Sequence, residues 1–210
     1  MIREEMTSTG SARTDQGAAH LMKLILASSS PRRLELLGRL GVKPDRIISP
    51  DIDEAPLKAE LPRDYVLRMA REKAAAVVRE PGEILLAGDT TVAVGRRILG
   101  QAADKAEQRK FLELISGRRH HVMSAVTVIA ADGRARTKLS DSIVKFKRFE
   151  VSEIEDYIRS GEGQGKAGGY AIQGQAEAFV IWMSGSYSGI MGLPLHETRN
   201  LLISSGYAIG

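Results

Sequence analysis

The segment KLILASSSPRRL, at residues 23–34, contains the clearest signals for the fold. Its apolar first half predicts a buried strand. Pro31 suits the first turn of a helix, because its missing N–H would be unpaired there in any case, and Ser30 is then the expected N-cap. Leucines follow at helical spacing, at Leu34, Leu37 and Leu40. The stretch therefore predicts a strand, a serine turn and a helix, in that order.

Two arginines, Arg32 and Arg33, lie in the first turn of this predicted helix. Cations at that end oppose the helix dipole, at a cost of about 0.3–1 kcal/mol each, whereas the free N–H groups of the turn favour an anion. One interpretation is a solvated basic turn. The other, which the neighbouring serine hydroxyls favour, is a phosphate-binding site.

The composition limits the class of protein. The chain has 210 residues, 43% of them hydrophobic and 5% aromatic, which is enough for an aliphatic core. It has no cysteine, so disulfides and thiolate metal sites are excluded, in keeping with a cytoplasmic location. The formal net charge of +4 suits a small anionic substrate and, only weakly, a nucleic acid. No apolar run approaches the roughly 20 residues that span a membrane.

Residues 1–21 are polar and lack the apolar segment of a secretory signal. We expect them to form a disordered leader. The folded unit is then a single α/β domain over residues 22–210.

A cluster of carboxylates follows the short strand predicted at residues 46–49. Asp51, Asp53 and Glu54 lie close together there. A polar loop tip is the usual explanation of such a cluster. Its position just beyond a strand supports the alternative, a metal-binding or catalytic role.

Lys73 lies in the helix predicted over residues 64–79. It comes three residues after Ala70 and four before Val77, both on the apolar stripe of that helix, so its stem points near the apolar face. Lysines in such places commonly extend their charged end to water. The alternative is that Lys73 reaches a cleft and meets a phosphate.

Residues 83–87 predict a buried strand that ends in the segment Gly88-Asp89-Thr90-Thr91. An acid at the carboxyl end of a central strand is where open α/β sheets place their sites, and Gly88 would let a ligand approach closely. An aspartate that merely forms a turn is the alternative. We favour a site role for Asp89.

The second half of the chain predicts further regular elements. These are a helix over 104–116, strands at 121–128 and 140–149 joined by a hairpin turn at Asp132-Gly133, and a strand at 179–183. A capping box formed by Ser152 and Glu155 would open another helix. Pro194 would open the last one.

Residues 161–169 contain five glycines and Lys166. The spacing G-x-G-x-x-G occurs there, but a helix precedes it where the dinucleotide-binding fingerprint requires a strand. A phosphate-binding P-loop is excluded as well, because Ala167 stands where Ser or Thr is needed. We expect a flexible loop that carries Lys166. The four histidines show no ligand spacing, and we assign them no metal.

These motifs, in this order, resemble the Maf family of nucleoside triphosphate pyrophosphatases from about residue 23 to the end of the chain. The matching segments in the first part are LASSSPRR at 26–33, IDE at 52–54, REK at 71–73, GDTT at 88–91 and SGR at 116–118. Those in the last part are KAGGYAIQG at 166–174, GSY at 185–187 and GLPL at 192–195.

The resemblance implies an α/β fold, a two-lobed mixed sheet with flanking helices around a deep cleft, similar to the inosine triphosphate pyrophosphatases. It also implies hydrolysis of a nucleoside triphosphate to a monophosphate and pyrophosphate, with a divalent metal such as Mg²⁺ or Mn²⁺. The segments SPRR and AIQG are similar to those of the branch that acts on dTTP and UTP. The family is often dimeric, so a homodimer is expected, with neither nucleic acid nor a membrane as a partner.

The resemblance also assigns roles to individual residues. The expected catalytic residues are Asp89, Glu54 and Lys73; Asp89 and Glu54 would hold the metal or act on the attacking water, and Asp89 is our choice for the base. The expected substrate-binding residues are Ser28, Arg32, Arg33, Gln101 and Gln173. The two arginines, together with Lys73, would clamp the phosphates, and Gln173, with a donor and an acceptor, could read the edge of a pyrimidine.

Gln101 departs from the family pattern, which has a lysine at this place. A lost charge beside a triphosphate would cost about 1–3 kcal/mol in a desolvated site. Either a nearby cation such as Lys105 or Arg97 fills the gap, or affinity falls. Restoring the lysine, Gln101→Lys, should then raise kcat/KM for dTTP or UTP roughly 10-fold.

Two other classes of function stay open at this point. The first is a nucleotide-binding regulator that no longer hydrolyses its ligand and acts through a partner such as the cell-division machinery, with which the family is associated; Gln101 is the feature that favours it. A general nucleic-acid binder rests only on the basic isoelectric point, without an aromatic platform for bases, and ranks last.

Overall fold

The structure is a computed structural model, and it describes residues 22–209. The leader predicted over residues 1–21 lies outside the described residues. The strands are β1 (Leu24–Ala27), β2 (Arg46–Ile47), β3 (Ile84–Val94), β4 (Arg97–Leu99), β5 (Arg119–Ile129), β6 (Ala135–Phe146) and β7 (Val180–Ser184). The helices are α1 (Pro31–Gly38), α2 (Pro62–Ala75), α3 (Lys105–Ile115), α4 (Val151–Ser160), α5 (Tyr187–Met191) and α6 (Leu195–Ser204), with a 3₁₀ helix at Gln175–Phe179 before β7.

All seven strands belong to one mixed sheet, in the order β2-β1-β3-β5-β6-β7, with β4 paired to β3. β1 runs parallel to both β2 and β3. The pairs β3–β5, β5–β6 and β6–β7 are antiparallel. The predicted class, a mixed α/β sheet with flanking helices, is confirmed.

β3 does not end where the sequence predicts. It continues through Gly88 as far as Val94, so that Asp89 lies inside the strand and not at its carboxyl end. The cause is β5, which pairs with β3 without interruption from Leu85 to Ala93 and keeps the chain extended.

On its other side β3 has a gap in its pairing. β1 ends at Ala27, opposite Ala87, and β4 pairs with β3 only from Val92 onward. Among the described residues, positions 88–91 of β3 therefore have no strand partner on this side. The sheet is open there, one residue beyond the end of β1, and polar side chains can reach the strand.

The two faces of the sheet are covered differently. α2 packs on one face through Val66 and Ala70, which contact Met123 and Ala125, and through Ala74. The other helices cover the opposite face and share a larger cluster of buried side chains. The apolar stripe of α2 thus fixes the height of this helix above β3.

Three local expectations need correction. Ser30 is the N-cap of α1, but its side chain makes no capping hydrogen bond, and Leu34 is exposed because α1 stops at Gly38 and turns Leu36 and Leu37 to the core. The capping box of α4 is formed by Glu150 and Glu153, two residues earlier than predicted.

The predicted strands and helices of the second half are present, and β5 and β6 form the expected hairpin. The sequence gives no sign of an apolar edge, yet β7 has one. It is the last strand of the sheet, and Ile181, Trp182 and Met183 on it are exposed. Over residues 22–209, none of the helices has the length and apolar character needed to cross a membrane.

His120 is the most deeply buried ionisable ring of the fold, at 1% exposure. Its Nε2 lies 2.8 Å from the Tyr170 hydroxyl, and its Nδ1 has no hydrogen-bond partner. Burial is the main cause that lowers the pKa of His120 from 6.5 to about 4. The imidazole is therefore neutral in the folded protein at pH 7.

We predict that folding becomes weaker between pH 6.5 and 4.5 because of His120. In this range His120 is protonated in the unfolded chain but stays neutral in the folded protein. The contribution of His120 to the free energy of unfolding is therefore fully present above pH 6.5 and is lost as the pH falls towards 4. A shift of this size corresponds to about 2–3 kcal/mol at pH 4.5. Urea unfolding of the wild type, followed over this pH range, measures it.

Two variants show whether His120 causes this pH dependence of stability. His120→Gln should flatten this pH dependence, whereas His121→Gln, at the partly exposed neighbouring position, should leave it in place. Carboxyl groups with a lowered pKa, such as Glu83, stabilise the fold above about pH 4.5 and lose that contribution as the pH falls through this value, so they act mainly below the range in which His120 acts. An unchanged slope in His120→Gln would contradict the account of this residue.

Candidate active site

A cavity of about 370 Å³ opens at the gap beside β3. The residues that line it come from both sides of the gap: the β1–α1 turn, the loop after β2, and α2 on one side, and the segments around residues 101, 166–173 and 190 on the other. All eight site residues predicted from the sequence lie on its wall, namely Ser28, Arg32, Arg33, Glu54, Lys73, Asp89, Gln101 and Gln173. The fold therefore brings together residues that are up to 145 positions apart.

Lys73 and two carboxylates form the most buried charged group of the cavity. The Lys73 ammonium lies 2.7 Å from Asp89 Oδ1 and 2.9 Å from Glu54 Oε2. Lys73 and Asp89 are both buried, whereas Glu54 is half exposed at the rim. Lys73 is therefore not a lysine that extends to water; its charge is fixed against β3.

α2 also supplies Tyr65, which the sequence analysis missed. Its hydroxyl donates to the backbone carbonyl of Glu54, at 2.9 Å. Burial, followed by the charges of Asp89 and Glu54, raises the pKa of Tyr65 to about 12, so it remains a donor. Tyr65 precedes Lys73 by eight residues, about two helical turns, and this spacing places both on one helix face and was the available signal.

A second residue of α2 holds the same loop. Arg68 donates to both carboxylate oxygens of Glu60, at 2.7 Å each, and to the Ala55 carbonyl at 3.1 Å. Tyr65 and Arg68 thus fix the backbone on either side of the Glu54–Ala55 peptide. The Glu54 carboxylate is positioned by α2 although its own side chain is partly solvated.

Arg33 crosses from α1 to the opposite face of β3. Its guanidinium donates to the Gly192 carbonyl at 3.0 Å, to Ser28 Oγ at 3.0 Å and to Thr90 Oγ1 at 3.5 Å. Burial lowers its pKa, and the nearby Asp89 and Glu54 charges oppose that shift. An arginine stays protonated under these conditions, so the cavity holds a fixed positive charge.

Side chains alternate between the two faces of β3, and this explains how one strand contacts both Lys73 and Arg33. Asp89 points to Lys73 on α2, whereas Thr90, on the other face, points to Arg33. Gly88 shares the face of Thr90, and a Cβ at this position would lie 3.6 Å from Arg33 Nε and 3.2 Å from the Ala125 carbonyl. A side chain at position 88 would therefore crowd the backbone carbonyl of Ala125 on β5, whereas its distance to Arg33 would be an ordinary van der Waals contact.

Ser28 has a hydroxyl whose proton is available. Its Oγ accepts from Arg33 Nη1 at 3.0 Å and from the Ser30 backbone N–H at 3.2 Å. A serine oxygen accepts two hydrogen bonds and donates one. Both acceptor positions of Ser28 are filled, so its O–H is left to donate to an anion in the cavity.

Gln101 lies on the opposite wall, where it forms a backbone bridge with Ala167. The sequence suggests Lys105 or Arg97 as replacements for a lysine at this position, but neither lines the cavity. Lys166, next to the bridge, does line it. The sequence predicts only a flexible loop around Lys166 and assigns this lysine no role.

The donor set for a metal is small. Over residues 22–209 there is no cluster of three or more histidines, cysteines or carboxylates that would hold an ion alone. Asp89 and Glu54 each have one oxygen outside the contact with Lys73. Mg²⁺ is commonly held by one or two carboxylates together with substrate phosphates, and these two residues fit that mode.

Comparisons with known proteins give consistent findings. A family model described as Maf-like protein matches residues 23–205. The dTTP/UTP pyrophosphatase of Sphingopyxis alaskensis is 62% identical over 187 residues, covering 89% of this chain and 98% of the relative. That of Novosphingobium aromaticivorans is 59% identical over 185 residues, covering 88% of this chain and 92% of the relative.

Among solved structures, a HAM1 protein from Coxiella burnetii is similar to 87% of this chain and 99% of its own, with 18% identity and a TM-score of 0.47.

We predict that Lys73 is required for stability because it neutralises buried charge. Lys73→Met leaves the Asp89 carboxylate buried without its partner, and breaking such a pair costs about 3–5 kcal/mol. The exposed Lys58→Met should change the free energy of unfolding by less than about 0.5 kcal/mol. Urea denaturation at pH 7.5 measures both variants.

A double variant tests the cause. In the Lys73→Met background, Asp89→Asn should recover part of the lost stability, because it removes the unpaired charge. If Lys73→Met is as stable as Lys58→Met, the ion pair is not formed in solution.

Proposed function

This chain belongs to the Maf-like family, and from that premise we propose that it hydrolyses a nucleoside triphosphate, dTTP or UTP, to the monophosphate and pyrophosphate. The cavity beside β3 is the proposed active site. The single observation that carries the proposal is the arrangement of charge in it: Arg32 and Arg33 face a lysine–carboxylate group across one cavity.

The arginines and the serine turn would hold the phosphates. Arg33 keeps N–H groups that its three protein contacts do not use, and guanidinium groups suit phosphate oxygens because they donate two parallel hydrogen bonds. Arg32 is anchored by one contact, from Nε to the Met191 carbonyl at 3.2 Å. The Ser28 hydroxyl would add a neutral donor.

Asp89 would act as the general base. It is buried in the cavity wall, where Lys73 contacts its Oδ1 at 2.7 Å and the Thr91 hydroxyl donates a long hydrogen bond to its Oδ2 at 3.5 Å. Lys73 holds this carboxylate in one orientation through a contact of 2.7 Å, and a carboxylate accepts a proton from water when it acts as a base. The base is thus oriented before the substrate arrives.

Glu54 and Asp89 would also hold a divalent metal, Mg²⁺ or Mn²⁺, together with the triphosphate. Such an ion neutralises charge on phosphate oxygens and makes the α-phosphorus more electrophilic. Tyr65 and Arg68 support this role by fixing the backbone that carries Glu54.

Gln173 is our proposed reader of the base. Its amide is exposed within the cavity and offers both a donor and an acceptor. The bases of dTTP and UTP present the same pair of groups, an N–H beside a carbonyl. An amide matches that edge without distinguishing the two nucleotides.

A cytoplasmic location and a homodimer remain predictions. The absence of cysteine supports the first. The exposed apolar residues of the edge strand β7 support the second. Light scattering at working concentration decides the oligomeric state.

We predict that Asp89→Asn lowers kcat for pyrophosphate release from dTTP and UTP by about 100-fold or more, because a general base typically contributes 10²–10⁴-fold. The matched control is Asp51→Asn, an exposed carboxylate in the loop before Glu54, which should keep wild-type turnover. A coupled assay of released pyrophosphate measures all three proteins.

Two results would count against this proposal in different ways. Wild-type turnover in Asp89→Asn would show that another group is the base. Tight dTTP binding by the wild type without any pyrophosphate release would replace the enzyme by a nucleotide-binding regulator.

A further inference from the structure

The glycine-rich segment at residues 161–169 is built into the cavity wall. The Gly168 N–H donates to the carbonyls of Leu99 and Gly100, at 3.0 Å each, and Gln108 donates to the Gly169 carbonyl at 3.0 Å. A Cβ at Gly168 would lie 2.9 Å from Val92 and one at Gly163 only 2.2 Å from Gln108. The glycines therefore permit close packing against α3 and β3, and the loop has a defined position.

That position places Lys166 over the cavity beside Gln101. Residue 167 forms the bridge with residue 101, so the lysine and the glutamine are neighbours on one wall. Lys166 is half buried, and among residues 22–209 it has no carboxylate within 4 Å. Burial and then the charge of Arg32 lower its pKa, which indicates that the two cations are close.

The charges of the cavity divide into two groups. Lys73 is neutralised by Asp89 and Glu54, whereas Arg32 and Lys166 lack such partners in the described part of the chain. Lys166 and Arg32 thus both line the cavity and have no carboxylate within 4 Å among residues 22–209.

We propose that Lys166 is a substrate-binding residue that holds the β- and γ-phosphates, the leaving pyrophosphate, together with Arg32. This inference rests on the proposed function. If Asp89 acts at the α-phosphorus, the remaining phosphates must extend to an end of the cavity that carries unpaired positive charge. Lys166 belongs to the family segment at 166–174, so it is not a replacement for a lysine at position 101, but it lies beside the neutral Gln101 as a cation of that wall.

The test compares ligands that differ only in phosphates. The probes are dTMP and a dTTP analogue with an imido bridge between the α- and β-phosphorus, which resists hydrolysis. Lys166→Gln should weaken binding of the analogue by at least about 10-fold, as expected for a lost hydrogen bond to a charged group, and change dTMP binding less than about 2-fold. Calorimetry measures both. Equal losses, or no loss, for the two ligands would overturn the proposal.

The matched control is Lys105→Gln, an exposed lysine at the start of α3 that does not line the cavity. It should leave both affinities unchanged. Lys166→Arg should keep most of the affinity for the analogue. If Lys105→Gln weakens the analogue as much as Lys166→Gln does, general electrostatic attraction explains the effect and the proposal fails.

A second arm uses activity and the neighbouring position. Gln101→Lys should raise kcat/KM for dTTP more in the Lys166→Gln background than in the wild type. In that background the new lysine at position 101 replaces the positive charge that was removed at position 166. Equal gains in both backgrounds would show that the two positions act independently and would contradict the shared role. If the wild type releases no pyrophosphate, the proposed function fails. If the wild type releases pyrophosphate and Lys166→Gln has the same activity and the same affinity for the analogue, only the role of Lys166 fails.

Discussion

The interrupted pairing of β3 is the constraint on which the site depends. One edge of this strand is covered by β5 along nearly its whole length, whereas the other is shared between β1 and β4, which leave residues 88–91 uncovered. A rigid strand with an exposed segment can present polar groups at fixed heights on both faces. Asp89 is thereby directed to Lys73 and Thr90 to Arg33, with no loop between them.

Charge placement follows from this geometry. Lys73 can be buried because it meets Asp89 on the strand and Glu54 on a loop that Tyr65 and Arg68 hold. A buried ion group of this kind contributes little net stability, since desolvation offsets the attraction. The group fixes the orientation of the Asp89 carboxylate, and under the proposed function the cations elsewhere in the cavity would be available for phosphates.

Much of this was predictable from sequence, because strand–turn–helix signals and apolar spacing act locally. The eight residues proposed for the site came from these patterns and from the family resemblance, and all of them line one cavity. What could not be predicted depends on pairing between distant strands: the continuation of β3 past Gly88 is imposed by β5. The position of Lys166 could not be predicted for the same reason. Its glycine-rich loop is held in place by contacts with Leu99, Gly100 and Gln108, which are distant in the sequence.

The most direct test of the account is product analysis after dTTP hydrolysis in water labelled with ¹⁸O. If Asp89 directs water to the α-phosphorus, mass spectrometry will find dTMP and pyrophosphate, with the label in dTMP. Release of dTDP and inorganic phosphate, or label in pyrophosphate, would place the attack elsewhere. Either result would contradict the assignment of Asp89 to the reacting end of the cavity and of the unpaired cations to the leaving group.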